Sequence, residues 1–198
     1  MNLSKLLRNR RNVYGFQSRA IPDKSLLRIL EDARHVPSAG FTQDFEFIVV
    51  KDPTIRRELA TAGHQREYLS EGLSKSDFIS TAPVIVVPCG NKKRFEAKYG
   101  RAEENARLPW WLIDAGFASF ALILSAFEHG LAASFLGVLD DDKVRQILSL
   151  PMDGSIIPLA LVPIGYKDPG EEVLWTRRSR KTVRSRRGLD DLVHWNTW

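Results

Sequence analysis

From Trp110 to His129 the chain is apolar on nearly every side: Ile113, Phe117, Phe120, Leu124 and Phe127 are joined by Ala115, Ala118, Ala121, Leu122 and Ala126. A helix without a wet face has to be enclosed, either at the centre of a core or against another subunit. The apolar run, broadly Leu108 to Phe127, is broken by Asp114 and by small residues, so it reads as a buried helix and not a membrane span. Gly130 then serves as its C-cap. With 198 residues and 43% hydrophobic content, the chain is long enough to build a core around such a helix without a second domain.

The segments around it supply an α+β pattern. Short apolar or β-branched runs at Phe45–Val50, Val84–Pro88, Ala133–Val138 and Leu159–Gly165 read as strands. Helical signals mark Ser4–Arg10, Pro22–His35, Pro53–Gly63, Ser70–Thr81 and Asp140–Leu148. In the last of these, Asp140, Asp141 and Asp142 complement a helix N-terminus and are not a carboxylate cluster, because adjacent helical residues do not face one another. Residues 91–107 are long, charged and poor in apolar side chains, which predicts a loop that is either solvated or a lid. Phe95 and Tyr99 are its candidate substrate contacts.

Two polar segments bracket the helix expected after Pro22. Arg10-Arg11-Asn12-Val13-Tyr14 offers planar, permanently charged donors that suit a phosphate, with Asn12 as a neutral donor. Pro37-Ser38-Ala39-Gly40 is a tight loop in which backbone can approach a flat ligand. Together they point to a flavin site. Other chemistries lack support: the sequence holds no G-x-G-x-x-G, no phosphate loop, no H-E-x-x-H and no G-x-S-x-G. His35, His64, His129 and His194 are scattered away from the lone cysteine, so no metal is assigned. That cysteine, Cys89, follows an apolar run and reads as a buried structural thiol.

The net charge of +5 is concentrated in one place. Seven basic residues lie between Arg177 and Arg187, and without them 22 basic residues stand against 24 acidic ones, a net of −2. No aromatic residue or nucleic-acid motif accompanies that run, which argues for a solvated, dimer-stabilising or phosphate-binding role and against nucleic acid. The opening Met1-Asn2-Leu3-Ser4-Lys5 lacks a signal-like apolar region, and a cytoplasmic location is expected.

The order of these segments resembles the FMN-dependent nitroreductase family over nearly the whole chain. The resemblance rests on Arg10–Tyr14, on Pro37 to Phe45 with its Gln43, and on Asp114-Ala115-Gly116 at the head of the apolar helix. It continues through Gly130 to Gly137, Pro158 to Tyr166 and the ending Arg186-Arg187-Gly188-Leu189-Asp190-Asp191 with Trp195. Tyr14 stands where the family usually has a basic residue, Asn12 where it has Ser, and Asp44-Phe45 where it has Pro-Trp. These departures bear on phosphate affinity and substrate shape.

The resemblance implies a nitroreductase-like α+β fold, a central, mostly antiparallel sheet flanked by helices, in one domain spanning 1–198 with a basic and aromatic extension at 177–198. It implies an intertwined homodimer with FMN held between subunits, and NADH or NADPH as transient donor to a nitroaromatic, quinone or similar small acceptor. Arg10, Arg11, Asn12 and Tyr14, with Arg186 and Arg187, fall at the phosphate and ribityl end. Pro37, Ser38 and Gln43 fall at the ring, with Leu136 and Gly137 near its reactive edge. The loop partly resembles the dimethylbenzimidazole synthase branch, which fragments FMN using oxygen. A flavin-sequestering protein with a closed lid shares the same site residues.

Overall fold

The computed structural model describes residues 2–72, 74, 76–171 and 186–198. Its helices are α1 (Leu3–Asn9), α2 (Asp23–Ala33), α3 (Pro53–Ala62), α4 (Gln65–Ser70), α5 (Phe78–Thr81), α6 (Lys92–Tyr99), α7 (Ala102–Asn105), α8 (Trp110–Glu128) and α9 (Asp141–Ile147). The strands are β1 (Phe45–Val50), β2 (Val84–Asn91), β3 (Ala132–Ala133), β4 (Ile156–Pro158) and β5 (Val162–Gly165). They form one sheet in the order β1-β2-β5-β3, with β4 also on β2, and every described pairing is antiparallel.

Strand β2 shows why the sheet lies at the centre. Successive side chains on a strand point to opposite faces. Ile85, Val87 and Cys89 join the core beneath α3, α5 and α9, with Leu59, Phe78, Ile79 and Val144. Val84 and Val86 join a second core with Leu26 and Ile29 of α2 and Leu122, Ile123 and Ala126 of α8. A strand covered on both faces needs a continuous apolar run, and this is what Val84–Val87 provides. Burial pushes the Cys89 thiol up to about 12, so it stays protonated and structural, as the sequence implied.

Local signals fix the helix starts. The Asn2 side chain accepts the Lys5 N–H of α1, Asp52 accepts from Thr54 and Ile55 at the head of α3, and Asp140 accepts from Lys143 in α9. Helix α8 is long and apolar enough to cross a membrane, and one flank of it packs against α2, β1, β2 and β3. The other flank is only partly covered in the single chain, where Arg10 lies over Phe120 and Trp110 packs against the Phe95 cluster. Trp110, Ile113, Phe117, Phe120 and Leu124 recur at spacings of three and four, with Phe117 49% and Phe120 43% exposed.

Four expectations need correction. The helix expected over 70–81 shrinks to α5, since α4 ends at Ser70, the chain turns at Gly72 with φ of 63° and Ser74 bonds Tyr14 instead; Leu73 and Lys75 lie outside the described residues. Residues 91–107 form α6 and α7, started by the Asn91 side chain accepting the Arg94 N–H. The strand expected at Ala133–Val138 shrinks to β3 and a bridge between Leu136 and Leu161, because Ser134 turns its hydroxyl to the Val13 carbonyl. The run Leu159–Gly165 contributes only β5, and β4 precedes it. The core of the basic run, residues 177–185, lies outside the described residues.

Candidate functional site

The Arg10–Tyr14 segment is fastened to the β3 edge of the sheet. The Val13 N–H donates to the Ala133 carbonyl at 3.3 Å, and Ser134 Oγ donates back to the Val13 carbonyl. Leu136, two residues on, is buried and exchanges two 3.0 Å backbone bonds with Leu161, which presents Gly137 at the surface. The fold thus brings Arg10–Tyr14, expected at the phosphate end, and Leu136–Gly137, expected near the ring, to one edge.

Within that segment the side chains divide their work. Arg10 has no hydrogen-bond or ion-pair partner among the described residues, and its guanidinium lies 5.8 Å from the centre of the Phe120 ring on α8. Arg11 spends one nitrogen on the carbonyls of Arg8 and Arg10, at 2.6 and 2.8 Å, closing the end of α1. Asn12 is half-buried. The Tyr14 ring packs among Tyr68 and Phe78, and its carbonyl accepts from Ser74 and Ser76.

The Pro37–Gln43 loop sits at the opposite edge, leading into β1. Gly40, Phe41 and Gln43 adopt left-handed φ values of 52°, 61° and 49°. For non-glycine residues such backbone costs on the order of 1–2 kcal/mol each and persists only where surroundings enforce it. Here they do. The Ala39 N–H donates to Asp114 Oδ2 at 2.7 Å, the Gln43 N–H donates to Ser38 Oγ at 2.9 Å, Arg94 Nε donates to the Thr42 carbonyl at 3.2 Å, and Lys98 Nζ donates to the Gly40 carbonyl. A Cβ on Gly40 would overlap the Tyr99 hydroxyl.

The helix that supplies Arg94 and Lys98 is α6, so the segment expected as a loop is a clamp on the Pro37–Gln43 loop. Phe95, only 2% exposed, packs against Trp111 and Tyr99 with ring centres 5.5 and 5.0 Å apart. It anchors α6; of the two predicted substrate contacts, Tyr99 is the one that presents exposed surface. Gln43 borders a shallow groove of about 230 Å³ lined by Arg34, Phe45, Glu46, Phe47 and Arg94.

Under the loop lies a residue that the sequence marked as a break in an apolar run and as part of the Asp114-Ala115-Gly116 motif, but not as part of the site. Asp114 is buried in α8, and burial, followed by the carboxyl of Asp44 beside it, pushes its pKa up to about 6 against the lowering effect of the Ala39 N–H. Asp44, Arg94 and Lys98 were likewise missed as parts of the site. Asp44 had a signal, the departure at the usual Pro; the two cations had none, being indistinguishable from solvated charges.

At the other end, Arg187 donates to the Asp191 carbonyl, and the described hydrogen bonds of 186–198 close within that segment. Arg186 and Arg187 are exposed and are not joined to Arg10–Asn12 in the single chain.

A family model described as the Nitroreductase family matches residues 7–166. The chain belongs to the nitroreductase family. It is 27% identical over 182 residues to a "Putative NADH dehydrogenase/NAD(P)H nitroreductase" of Methanothermobacter thermautotrophicus, covering 88% of this chain and 83% of that protein. A nitroreductase family protein of Clostridium difficile 630 superposes with a TM-score of 0.73 at 25% identity over 100% of both chains. A putative nitroreductase of Exiguobacterium sibiricum 255-15, solved in complex with FMN, superposes with a TM-score of 0.74 at 19% identity, covering 99% of this chain and 98% of that one. The expected nitroreductase-like fold, helices flanking an antiparallel sheet, is the one observed.

Proposed function

We propose that this chain is an FMN-dependent oxidoreductase that works as a homodimer, accepting a hydride from NADH or NADPH and passing reducing equivalents to a nitroaromatic, quinone or similar small acceptor. The observation that carries the reading is the split of the site. The phosphate-type donors lie at the β3 edge and the ring-type loop at the β1 edge, three strand spacings or roughly 14 Å apart. They also attach to different sides of α8: Asp114 and Phe120 are six residues apart, which separates them by roughly 120° around the helix. A second copy packed on the exposed Phe117/Phe120 stripe brings the loop of one subunit toward the donors of the other. Spacings of three and four are those of helix-to-helix seams.

The residues present fit a planar, phosphate-bearing cofactor. Arg10 is free to pair with phosphate, Arg11 adds charge beside it and Asn12 a neutral donor. Pro37, Ser38 and Gln43 border the ring, held rigid by the clamps of α6 and α8, and Leu136 and Gly137 lie near its reactive edge. Tyr99 faces the acceptor. When bound, FMN supplies the two-electron chemistry, and the chain positions it and keeps water away. The names of relatives, among them an "NADH dehydrogenase" of Thermus thermophilus 27% identical to this chain, support a nicotinamide donor.

The test is reduction of the FMN-loaded protein. NADH or NADPH should bleach the flavin without oxygen, and an acceptor should restore the colour, with parallel double-reciprocal lines because both substrates use one site in turn. Failure of both nucleotides to bleach bound flavin would overturn the assigned reaction. Loss of flavin colour in air that no acceptor reverses would favour FMN fragmentation instead.

A further inference from the structure

Asp44 is 0% exposed, and neither of its carboxylate oxygens has a hydrogen-bond partner among the described residues. A buried, unpartnered carboxylate is expensive, so Asp44 requires a donor. Its backbone is anchored, since the Asn91 N–H donates to the Asp44 carbonyl at 2.7 Å. The group beside it is Asp114, whose Oδ2 holds the Ala39 N–H. The neighbouring charges are spent elsewhere: Lys98 and Arg94 bind the carbonyls of Gly40 and Thr42, Lys92 lies over the Trp111 ring and pairs with Glu103, and Glu46 accepts from Asn91. No ion pair neutralises either carboxyl among the described residues.

We propose that Asp114 and Asp44 share one proton, carried on Asp114 and donated to Asp44, and that this hydrogen bond fastens the strained loop bearing Ser38 and Gln43. Oδ2 of Asp114 continues to accept from Ala39, its other oxygen carries the proton, and Asp44 gains the donor it lacks. Losing the proton leaves two adjacent buried negative charges under the loop. Because the folded-state pKa of Asp114 lies above its ordinary value of 3.8, the stabilisation is complete below that value and is lost as pH rises through about 6. Resting on the proposed function, this makes the loop's hold on the flavin ring weaken from mildly acidic to mildly alkaline pH.

Infrared titration of the flavin-free protein reads the proton directly. A protonated-carboxyl band should disappear between about pH 5 and 7 and should be missing in Asp114→Asn. Asp44→Asn should raise Tm over the wild type by about 3 °C or more at pH 7.5 and by under about 1 °C at pH 5. Wild-type FMN affinity should fall roughly tenfold between those two pH values, and that of Asp44→Asn less than twofold. A wild-type protein without the titrating band, or a band that survives in Asp114→Asn, overturns the shared proton, whether or not Asp44→Asn folds. If the band and the Tm pattern appear while FMN binds at no pH, the proton stands and the flavin reading fails.

Discussion

The two edges of the sheet hold the proposed ligand-binding residues by opposite means. At the β3 edge, Arg10 projects a guanidinium with no hydrogen-bond or ion-pair partner among the described residues, from a segment tied down through backbone at Val13, so what it offers a ligand is a side chain and its charge. At the β1 edge, the loop over Gly40–Gln43 carries three left-handed residues held by Asp114, Ser38, Arg94 and Lys98, so the working part is a backbone shape. A charge attracts a phosphate from many geometries and costs the fold little. A strained backbone presents one surface and draws on the stability of the whole domain to do so. Changes at the first edge should therefore weaken ligand binding without unfolding the protein, and changes at the second should do both.

The comparison breaks most visibly if the two edges never meet. Phe117→Asp with Phe120→Asp puts four carboxylates per dimer into the proposed seam, and the dimer Kd should rise on the order of a thousandfold or more, as uncompensated buried charges dictate. Both side chains are exposed in the single chain, so the monomer should remain folded, and light scattering with circular dichroism checks both statements. FMN binding should be lost with the dimer.

Next in size is the charge edge. Arg10→Ala with Arg11→Ala removes two charge-assisted contacts of about 1.5–3 kcal/mol each and should weaken FMN binding about a hundredfold or more in a fluorescence titration. Arg10→Ala alone should leave Tm within about 1 °C of wild type, since its guanidinium has no hydrogen-bond partner among the described residues, whereas Arg11→Ala uncaps α1 as well. Equal Tm losses for the two would dissolve the distinction between the edges.

The shape edge is probed by Gly40→Ala, which combines a φ of 52° with a Cβ on the Tyr99 hydroxyl. It should lower Tm by about 3 °C or more and weaken FMN several-fold together, the joint loss that Arg10→Ala lacks. Smallest is Tyr99→Ala, which should lower acceptor kcat/KM about three- to tenfold with FMN still bound, the value of one aromatic contact. Unchanged turnover of every nitroaromatic and quinone tested would remove Tyr99 from the acceptor side.

What the sequence made legible follows the same division. Arg10, Arg11 and Asn12 stand out as candidate phosphate donors by residue type, and α2, α3, α8, α9, β1 and β2 are legible by period and caps, because those signals are local. The fold of 91–107 was hidden because a single buried Phe95 in eight residues leaves no helical period, and its cations bind carbonyls fifty-odd positions earlier in the chain. Asp114 was visible as an interruption of α8 but its partner loop was not, since 75 residues separate it from Ala39. The exposed stripe of α8 could be told from its buried flank only once α2 and the sheet were in place.

Whether one flavin is held by the donors of one subunit and the loop of its partner is read out by mixing two defective chains. Arg10→Ala/Arg11→Ala and Ser38→Glu, which removes the acceptor of the Gln43 N–H and adds a carboxylate at the ring, should each bind FMN poorly as homodimers. Co-expressed with different tags and purified through both, the mixed dimer contains one site with both defects and one with neither. The account predicts one FMN per mixed dimer at near wild-type affinity; no recovery of binding would contradict it and return the whole site to a single chain.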